Sequence, residues 1–118
     1  MDPKLAVIGL WAEDVAVAAR FYQEVIGLNP VPHHGQQPRF NLGGIYLTIL
    51  QGRPSPAEDA VPSRFPILAL SVDNLRSAVA RLEANAVDLQ WGIEEDANSR
   101  WAMFHDPAGN LIELVEFN

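Results

Sequence analysis

Short apolar runs alternate with amphipathic segments along this chain, and this pattern predicts its elements. The runs 5–11 and 65–72 are rich in Val, Ile and Leu, which is typical of buried strands. Each run leads into a segment, 15–26 or 75–84, whose apolar residues recur at spacings of three and four, as on one face of a helix. We therefore predict a strand followed by a helix, twice, about sixty residues apart.

Residues that start or end helical hydrogen bonding stand at both ends of each predicted helix. Asp14 and Asp73 are predicted N-caps, because a short carboxylate can accept from the free N–H groups of the first turn. Gly27 and Asn85 tolerate the left-handed conformation that commonly follows a helix. Each helix is therefore expected to be bounded and to pack one apolar face against a sheet.

Three short apolar stretches follow each helix and predict three further strands. Tight turns at Gly43-Gly44 and Gly109-Asn110 precede the last strand of each set. The proline-rich residues 51–64 are typical of a linker. The chain is thus predicted to be one α+β domain, residues 1–118, with βαβββ modules at 3–50 and 65–118 joined by the linker 51–64. The expected strands lie near 31–34, 39–42 and 45–50, and near 87–91, 100–104 and 111–117.

Composition limits the partners and the location of the protein. Fifteen acidic and eight basic residues give a net charge of −7 without a basic cluster, so nucleic acid is not an expected partner. The apolar run 5–11 is too short for a membrane span or a secretory signal. With no cysteine, a cytoplasmic location is expected. The acidity favours a cationic small molecule, although it can also serve solubility alone.

Three features together resemble the vicinal oxygen chelate superfamily, which includes glyoxalase I, extradiol dioxygenases and bleomycin resistance proteins. They are the two βαβββ modules, the Phe21-Tyr22…Gly27-Leu28 helix ending, and the closing segment 104–114 with its Asp-Pro-Ala-Gly-Asn turn. The resemblance spans nearly the whole chain. It implies that each module curls a mixed sheet around half of a cup with the helices outside. It also implies a homodimer, with both modules of one chain building each cup or with modules exchanged between chains.

The resemblance further implies where a metal would bind. Metal-dependent members place four ligands on the first and last strands of the modules, at positions that fall on Val7, Tyr46, Ile67 and Glu113. The two aliphatic side chains offer no lone pair, and a neutral phenol is a poor ligand beside a single carboxylate. We therefore expect neither a metal nor another cofactor, unless ligands come from other positions.

Strand alternation predicts which side chains face the cup. A two-residue turn at Gly43-Gly44 pairs Asn41 with Tyr46 and Arg39 with Thr48, which places these four side chains on one face of the hairpin. Since the other face is apolar and should pack on a helix, the polar face should line the cup. The inward positions expected on the two first strands are Val7, Gly9, Trp11, Ile67, Ala69 and Ser71.

Glu113, which the resemblance places in the cup, has three possible roles. It can be a structural partner of Arg39 or Tyr46, a carboxylate that binds the ligand, or a general base with a raised pKa. His33 and His34 are neighbours in a predicted strand, so only one of them can enter the cup, and a solvated strand end is the simpler interpretation.

Trp101 lies on a strand whose alternate residues divide between cup and core, and the sequence leaves open which set faces the cup. An aromatic wall would suit a flat or cationic guest.

These expectations favour a metal-free binding protein, similar to the bleomycin resistance branch, that holds a small cationic or aromatic molecule in the cup, as in antibiotic resistance by sequestration. The alternative is an enzyme of the same fold, a lyase, isomerase or dioxygenase that uses Glu113 with Tyr46 as acid and base, or with a metal. The expected ligand contacts are Val7, Gly9, Trp11, His33, Arg39, Asn41, Thr48, Ile67, Ala69 and Trp101.

Overall fold

Two compact units, residues 1–54 and 55–118, make up the computed structural model, which describes residues 1–2, 4–32, 37–53 and 66–118. Each unit has the predicted βαβββ order. The first unit contains β1 (Val7–Ala12), α1 (Val15–Arg20) continued by a π-helical segment (Phe21–Ile26), β2 (Asn29–Pro30), β3 (Arg39–Leu42) and β4 (Ile45–Gln51). The second contains β5 (Leu68–Ser71), α2 (Leu75–Ala84), β6 (Ile93–Glu95), β7 (Ser99–His105) and β8 (Leu111–Phe117).

The two units share one sheet topology. The strand order is β1-β4-β3-β2 in the first sheet and β5-β8-β7-β6 in the second. The first strand of each unit runs parallel to the last one, and the remaining pairs are antiparallel. Both sheets are therefore mixed, which confirms the α+β class and the internal repeat.

One face of each sheet is covered by the helix of its own unit. Helix α1 packs on β4, and α2 packs on β7 and β8. Between helix and sheet lie the fully buried side chains, because this arrangement removes most apolar surface from water. They include Ala18, Tyr22, Phe40, Leu47 and Ile49 in the first unit and Leu75, Leu82, Ala102, Phe104, Ile112 and Leu114 in the second. Among the described residues, no helix of the same unit lies on the opposite face of either sheet.

The helix ends agree with the sequence in the first unit and differ in the second. The side chain of Asp14 accepts from the Val17 N–H at 3.1 Å, and Gly27 is left-handed with φ 87°, so both predictions are confirmed. In α2 the predicted cap Asp73 is wrong. Asn74 directly precedes the first helical residue and accepts from the Ser77 N–H at 3.0 Å, which only a residue at that position can do.

The predicted left-handed residue after α2 is also wrong. Asn85 has φ −103°, and Ala86 takes the left-handed conformation with φ 61°. The amide of Asn85 donates to the Arg81 carbonyl at 2.9 Å, so its side chain closes the helix end while the backbone turn falls one residue later.

Two short strands were misplaced. In the first unit β2 forms at Asn29–Pro30, ahead of the predicted 31–34, and residues 33–36 lie outside the described residues. In the second unit the segment 87–91 forms no strand. Its first N–H, on Val87, bonds back to Leu82 of the helix at 3.0 Å, and a turn closed from the Gly92 N–H to the Leu89 carbonyl follows. Strand β6 begins after this turn.

The two hairpin turns differ in length. Gly43 and Gly44 form the predicted two-residue turn with φ 62° and 98°, and the predicted register of β3 and β4 is confirmed. Between β7 and β8 the loop has five residues, 106–110, which are the residues of the Asp-Pro-Ala-Gly-Asn turn. Its buried Asp106 accepts from the backbone N–H groups of Ala108 and Asn110, so this carboxylate builds the turn.

Gln51 is the last residue of β4, and residues 54–64 of the expected linker lie outside the described residues. Within the described ranges no helix has the length and apolar character needed to cross a membrane.

Candidate functional site

The open face of the first unit consists of the sheet surface that points away from α1. Across β1, β4 and β3 it shows one row formed by Val7, Tyr46 and Asn41 and a second row formed by Gly9, Thr48 and Arg39. Trp11 lies beside Leu50 in the next row. The structure therefore brings all the predicted contacts of β1, β3 and β4 onto one surface. His33 lies outside the described residues.

Two polar side chains of this face have structural contacts. The Arg39 guanidinium stands over the Tyr46 ring, 5.8 Å from its centroid, which is a cation–π distance. The Asn41 side-chain oxygen accepts from the Gly44 N–H at 3.3 Å, so it supports the turn between β3 and β4. Arg39 is thus held on the face as an exposed cation, while Asn41 is partly committed to the hairpin.

Thr48 is the buried member of this face. It is 6% exposed, and its hydroxyl oxygen has no hydrogen-bond partner. On its own strand it stands between Tyr46 and Leu50, and on the neighbouring strands between Gly9 and Arg39.

Gly52 shapes the far end of the same face, and the sequence did not reveal it. A Cβ at this position would stand 2.5 Å from Cε3 of Trp11, so the indole lies directly against the glycine backbone. Trp11 is 52% exposed. The missing side chain therefore allows the ring to lie across the end of β4.

The open face of the second unit lies on the side of its sheet that points away from α2. Strand pairing places Glu94, Trp101, Val115 and Ser71 in one row and Met103, Glu113 and Ala69 in the next. Trp101 and Met103 therefore share a face with Glu113, which answers the question of strand parity. Ile67 directly precedes β5 and is 52% exposed.

The acidic pair on this face is formed by Glu113 and Glu94. Burial, and then the charge of Glu94, raise the pKa of Glu113 above its ordinary value of 4.5. Glu94 was missed in the sequence because its strand was placed too early, at 87–91. A pair of carboxylates that repel each other next to an indole is a surface suited to a positive charge.

A second charged group of this unit serves the fold. Glu116 forms an ion pair with Arg100 and accepts from the Leu75 N–H at 2.9 Å, at the start of α2. These two contacts, the backbone N–H first, hold the pKa of Glu116 below its usual range. This carboxylate ties β8 to α2.

The residues at the family's metal positions do not fit a divalent ion. The pairing of Gly9 with Thr48 and of Ala69 with Glu113 makes Thr48, rather than Tyr46, the counterpart of Glu113 in the first unit. With Val7 and Ile67 at the first strands, either choice leaves Glu113 as the single carboxylate of the set. The described ranges also contain no group of three or more His, Asp or Glu side chains that could hold a metal.

The repeated βαβββ units with one open face each define a known class of protein. The family model of the Glyoxalase/Bleomycin resistance protein/Dioxygenase superfamily matches residues 4–114, and the chain belongs to this superfamily. The uncharacterized protein YaeR of Escherichia coli (strain K12) is 31% identical in an alignment of length 121 that covers 92% of this chain and 92% of that protein.

Two solved structures show the same fold. TnmS3, an antibiotic binding protein from Streptomyces sp. CB03234, is 24% identical with a TM-score of 0.79, over 99% of this chain and 98% of that one. Lactoylglutathione lyase from Agrobacterium tumefaciens is 24% identical with a TM-score of 0.74, over 98% and 95% of the two chains. The same architecture therefore occurs in a binding protein and in an enzyme.

Proposed function

We propose that this chain is a metal-free binding protein for a small molecule that carries a positive charge next to a flat apolar group. The observation that supports this most is the open face of the second unit. There Glu94 lies directly opposite Trp101, and Glu113 lies in the next row beside Met103.

An organic cation would remove an electrostatic penalty from this face. The raised pKa of Glu113 means that its burial and the charge of Glu94 disfavour the ionised form. A cation between the two carboxylates would offset both effects. The face of the Trp101 indole would add a cation–π attraction of about 0.5–2 kcal/mol. The chain's net charge of −7 would also attract such a molecule from a distance.

Sequestration of an antibiotic is the biological role that we propose for this binding. This role is supported by the likeness to TnmS3, an antibiotic binding protein whose fold this chain shares over nearly its full length. Binding a small molecule requires neither a metal nor a chemical reaction. The apolar, indole and carboxylate groups of this face suit such binding.

Benzyltrimethylammonium tests the proposal, with benzyl alcohol as the neutral comparison. Calorimetry should show that the cation binds and that Glu94→Gln and Glu113→Gln each weaken it roughly tenfold, or about 1.4 kcal/mol. Glu95→Gln is the matched control, because Glu95 neighbours Glu94 in β6 but points to the opposite face of the sheet. Equal binding of the two probes, or an equal loss in Glu95→Gln, would overturn the proposal.

An enzyme that uses Glu113 as a general base is the second candidate, supported by the raised pKa of that residue. Glu113 lies on β8, and Tyr46, the acid expected with it, lies on β4. The lyase that shares this fold suggests the assay. Formation of lactoylglutathione by the purified chain, lost in Glu113→Gln, would replace the binding proposal with this one.

We also propose that the chain acts as a homodimer in the cytoplasm. Several large apolar side chains are exposed in each unit, among them Val7, Trp11, Ile67 and Phe117, and such surface is commonly covered by a partner. A chain without cysteine also suits a reducing compartment. Light scattering after gel filtration should give the mass of two chains, and a monomer at micromolar concentration would contradict the dimer.

A further inference from the structure

The hydroxyl of Thr48 is a buried polar group that the fold itself does not use. The residue is 6% exposed, and its oxygen has no hydrogen-bond partner. Buried hydroxyl groups in native proteins are almost always bonded, because an unpaired one loses its water without compensation. Valine has nearly the same shape and would avoid this loss, so stability alone does not account for threonine here.

Thr48 lies on the open face of the first unit. The residue lies on the face of β4 that points away from α1, whereas its neighbours Leu47 and Ile49 are buried toward the helix. The adjacent position on β1 is Gly9, which has no side chain, and the space beside it is filled by the flexible end of Leu50.

Arg39 places a positive charge next to Thr48, whose hydroxyl is neutral. It lies directly opposite Thr48 in the antiparallel pair, exposed, with its guanidinium over the Tyr46 ring. In the described part of the chain, Arg39 forms no ion pair. The β1, β3 and β4 residues of this face include no carboxylate, and Arg39 is the charged side chain among them.

We infer that Thr48 and Arg39 form a subsite for an oxyanion, a carboxylate or phosphonate group of a small organic acid. The guanidinium can donate two hydrogen bonds to such a group and the hydroxyl a third, whereas the guanidinium would repel an ammonium ion. The inference rests on the proposed function in that it adds a second recognition element to a small-molecule binding protein.

Thr48→Val tests the subsite through stability and binding together. Without any probe, the variant should melt at a higher temperature than the wild type, because it removes a buried unsatisfied hydroxyl without changing the packing. Titration with benzoate and with phenylphosphonate, followed by NMR, should show at least one of them binding to the wild type roughly tenfold more tightly than to the variant. Thr48→Ser keeps the hydroxyl and should keep the binding.

Arg39→Gln separates charge from burial. It should lose the same oxyanion binding but gain no stability, since it removes no buried unpaired group. A Thr48→Val variant that is less stable than the wild type, or equal binding of the acids in both, would overturn the inference.

Benzyltrimethylammonium serves as the independent probe. Thr48→Val should bind this cation as tightly as the wild type does. If the wild-type chain binds benzoate but not the cation, the proposed function is refuted and the subsite stands. The reverse result would refute the subsite alone.

Discussion

Gly52 controls where the indole of Trp11 can lie on the open face of the first unit, so Gly52→Ala should displace the ring. The glycine N–H donates to the Ala12 carbonyl at 3.0 Å, which fixes this backbone beside the end of β1. An added Cβ would stand 2.5 Å from Cε3 and 3.1 Å from Cζ3 of the indole. Carbon atoms pack at about 3.5–4.0 Å, so the ring must retreat by about 1–1.5 Å.

The cost of this displacement follows from the exposure of Trp11. The residue is 52% exposed, so roughly half of its surface, about 100 Å², is buried. Full expulsion of the ring would cost about 2.5 kcal/mol. A retreat of about 1 Å should cost less, about 1–2 kcal/mol. Gly52 is not among the glycines with positive φ, so alanine fits the backbone and recovers about 0.5 kcal/mol through the unfolded chain. We expect a net loss of about 1 kcal/mol.

Urea unfolding and tryptophan emission measure this change. Trp91→Phe and Trp101→Phe leave Trp11 as the single indole of the chain, which has three tryptophans. In that background Gly52→Ala should shift the emission to longer wavelength. Gly9→Ala is the matched control, because its Cβ would meet only the mobile end of Leu50, at 3.1 Å. Unchanged emission and unchanged stability in Gly52→Ala would refute the reasoning.

Three further predictions concern the second unit. The folded state raises the pKa of Glu113, so this group favours folding below its ordinary pKa of 4.5 and loses that contribution as pH rises. Glu113→Gln should therefore melt above the wild type at neutral pH, and thermal scans should show the difference vanishing in acid. Asp106→Ala should lower the free energy of unfolding, measured in urea, by about 2–4 kcal/mol, because it leaves N–H groups of the loop unpaired. Asp96→Ala, at an exposed turn, should lower it less. Asn74→Ala should cost about 1 kcal/mol by the same measurement, and Asp73→Ala almost nothing if Asn74 is the cap.

The elements that the sequence predicted well are those with a long periodic signal. Helix α2 and strand β8 have the predicted bounds, because each buries a regular set of apolar residues against the other. The hairpin of β3 and β4 was predictable to the residue, since the two glycines with positive φ fix a two-residue turn and the turn fixes the register.

The site was predicted less completely, for a physical reason. Strand β6 has three residues, and all are exposed, so it has no alternation of burial for a pattern to reveal. Its placement depends on the segment after α2, where the Val87 N–H bonds back to the Leu82 carbonyl and a turn closed by the Gly92 N–H delays the strand. Glu94 therefore was not recognised as a neighbour of Trp101. The Trp11–Gly52 contact was equally out of reach, because a missing side chain gives no signal of what lies against it.

The two units show how one fold can present different chemistry. Phe40 pairs with Leu47 in the first unit as Phe104 pairs with Ile112 in the second, so the side of the sheet that meets the helix is apolar in both. One residue further along, on the open face, Arg39 pairs with Thr48 in the first unit.

At the corresponding place in the second unit, Met103 pairs with Glu113. The shared apolar positions maintain the strand pairing, because a shift of one residue would bring the open-face set into the core. Most side chains on the open faces are free of that constraint, since they are exposed or half-buried. Substitutions there should therefore change which charge is bound while the fold is kept, whereas a polar residue at Phe40 or Phe104 should abolish folding and binding together.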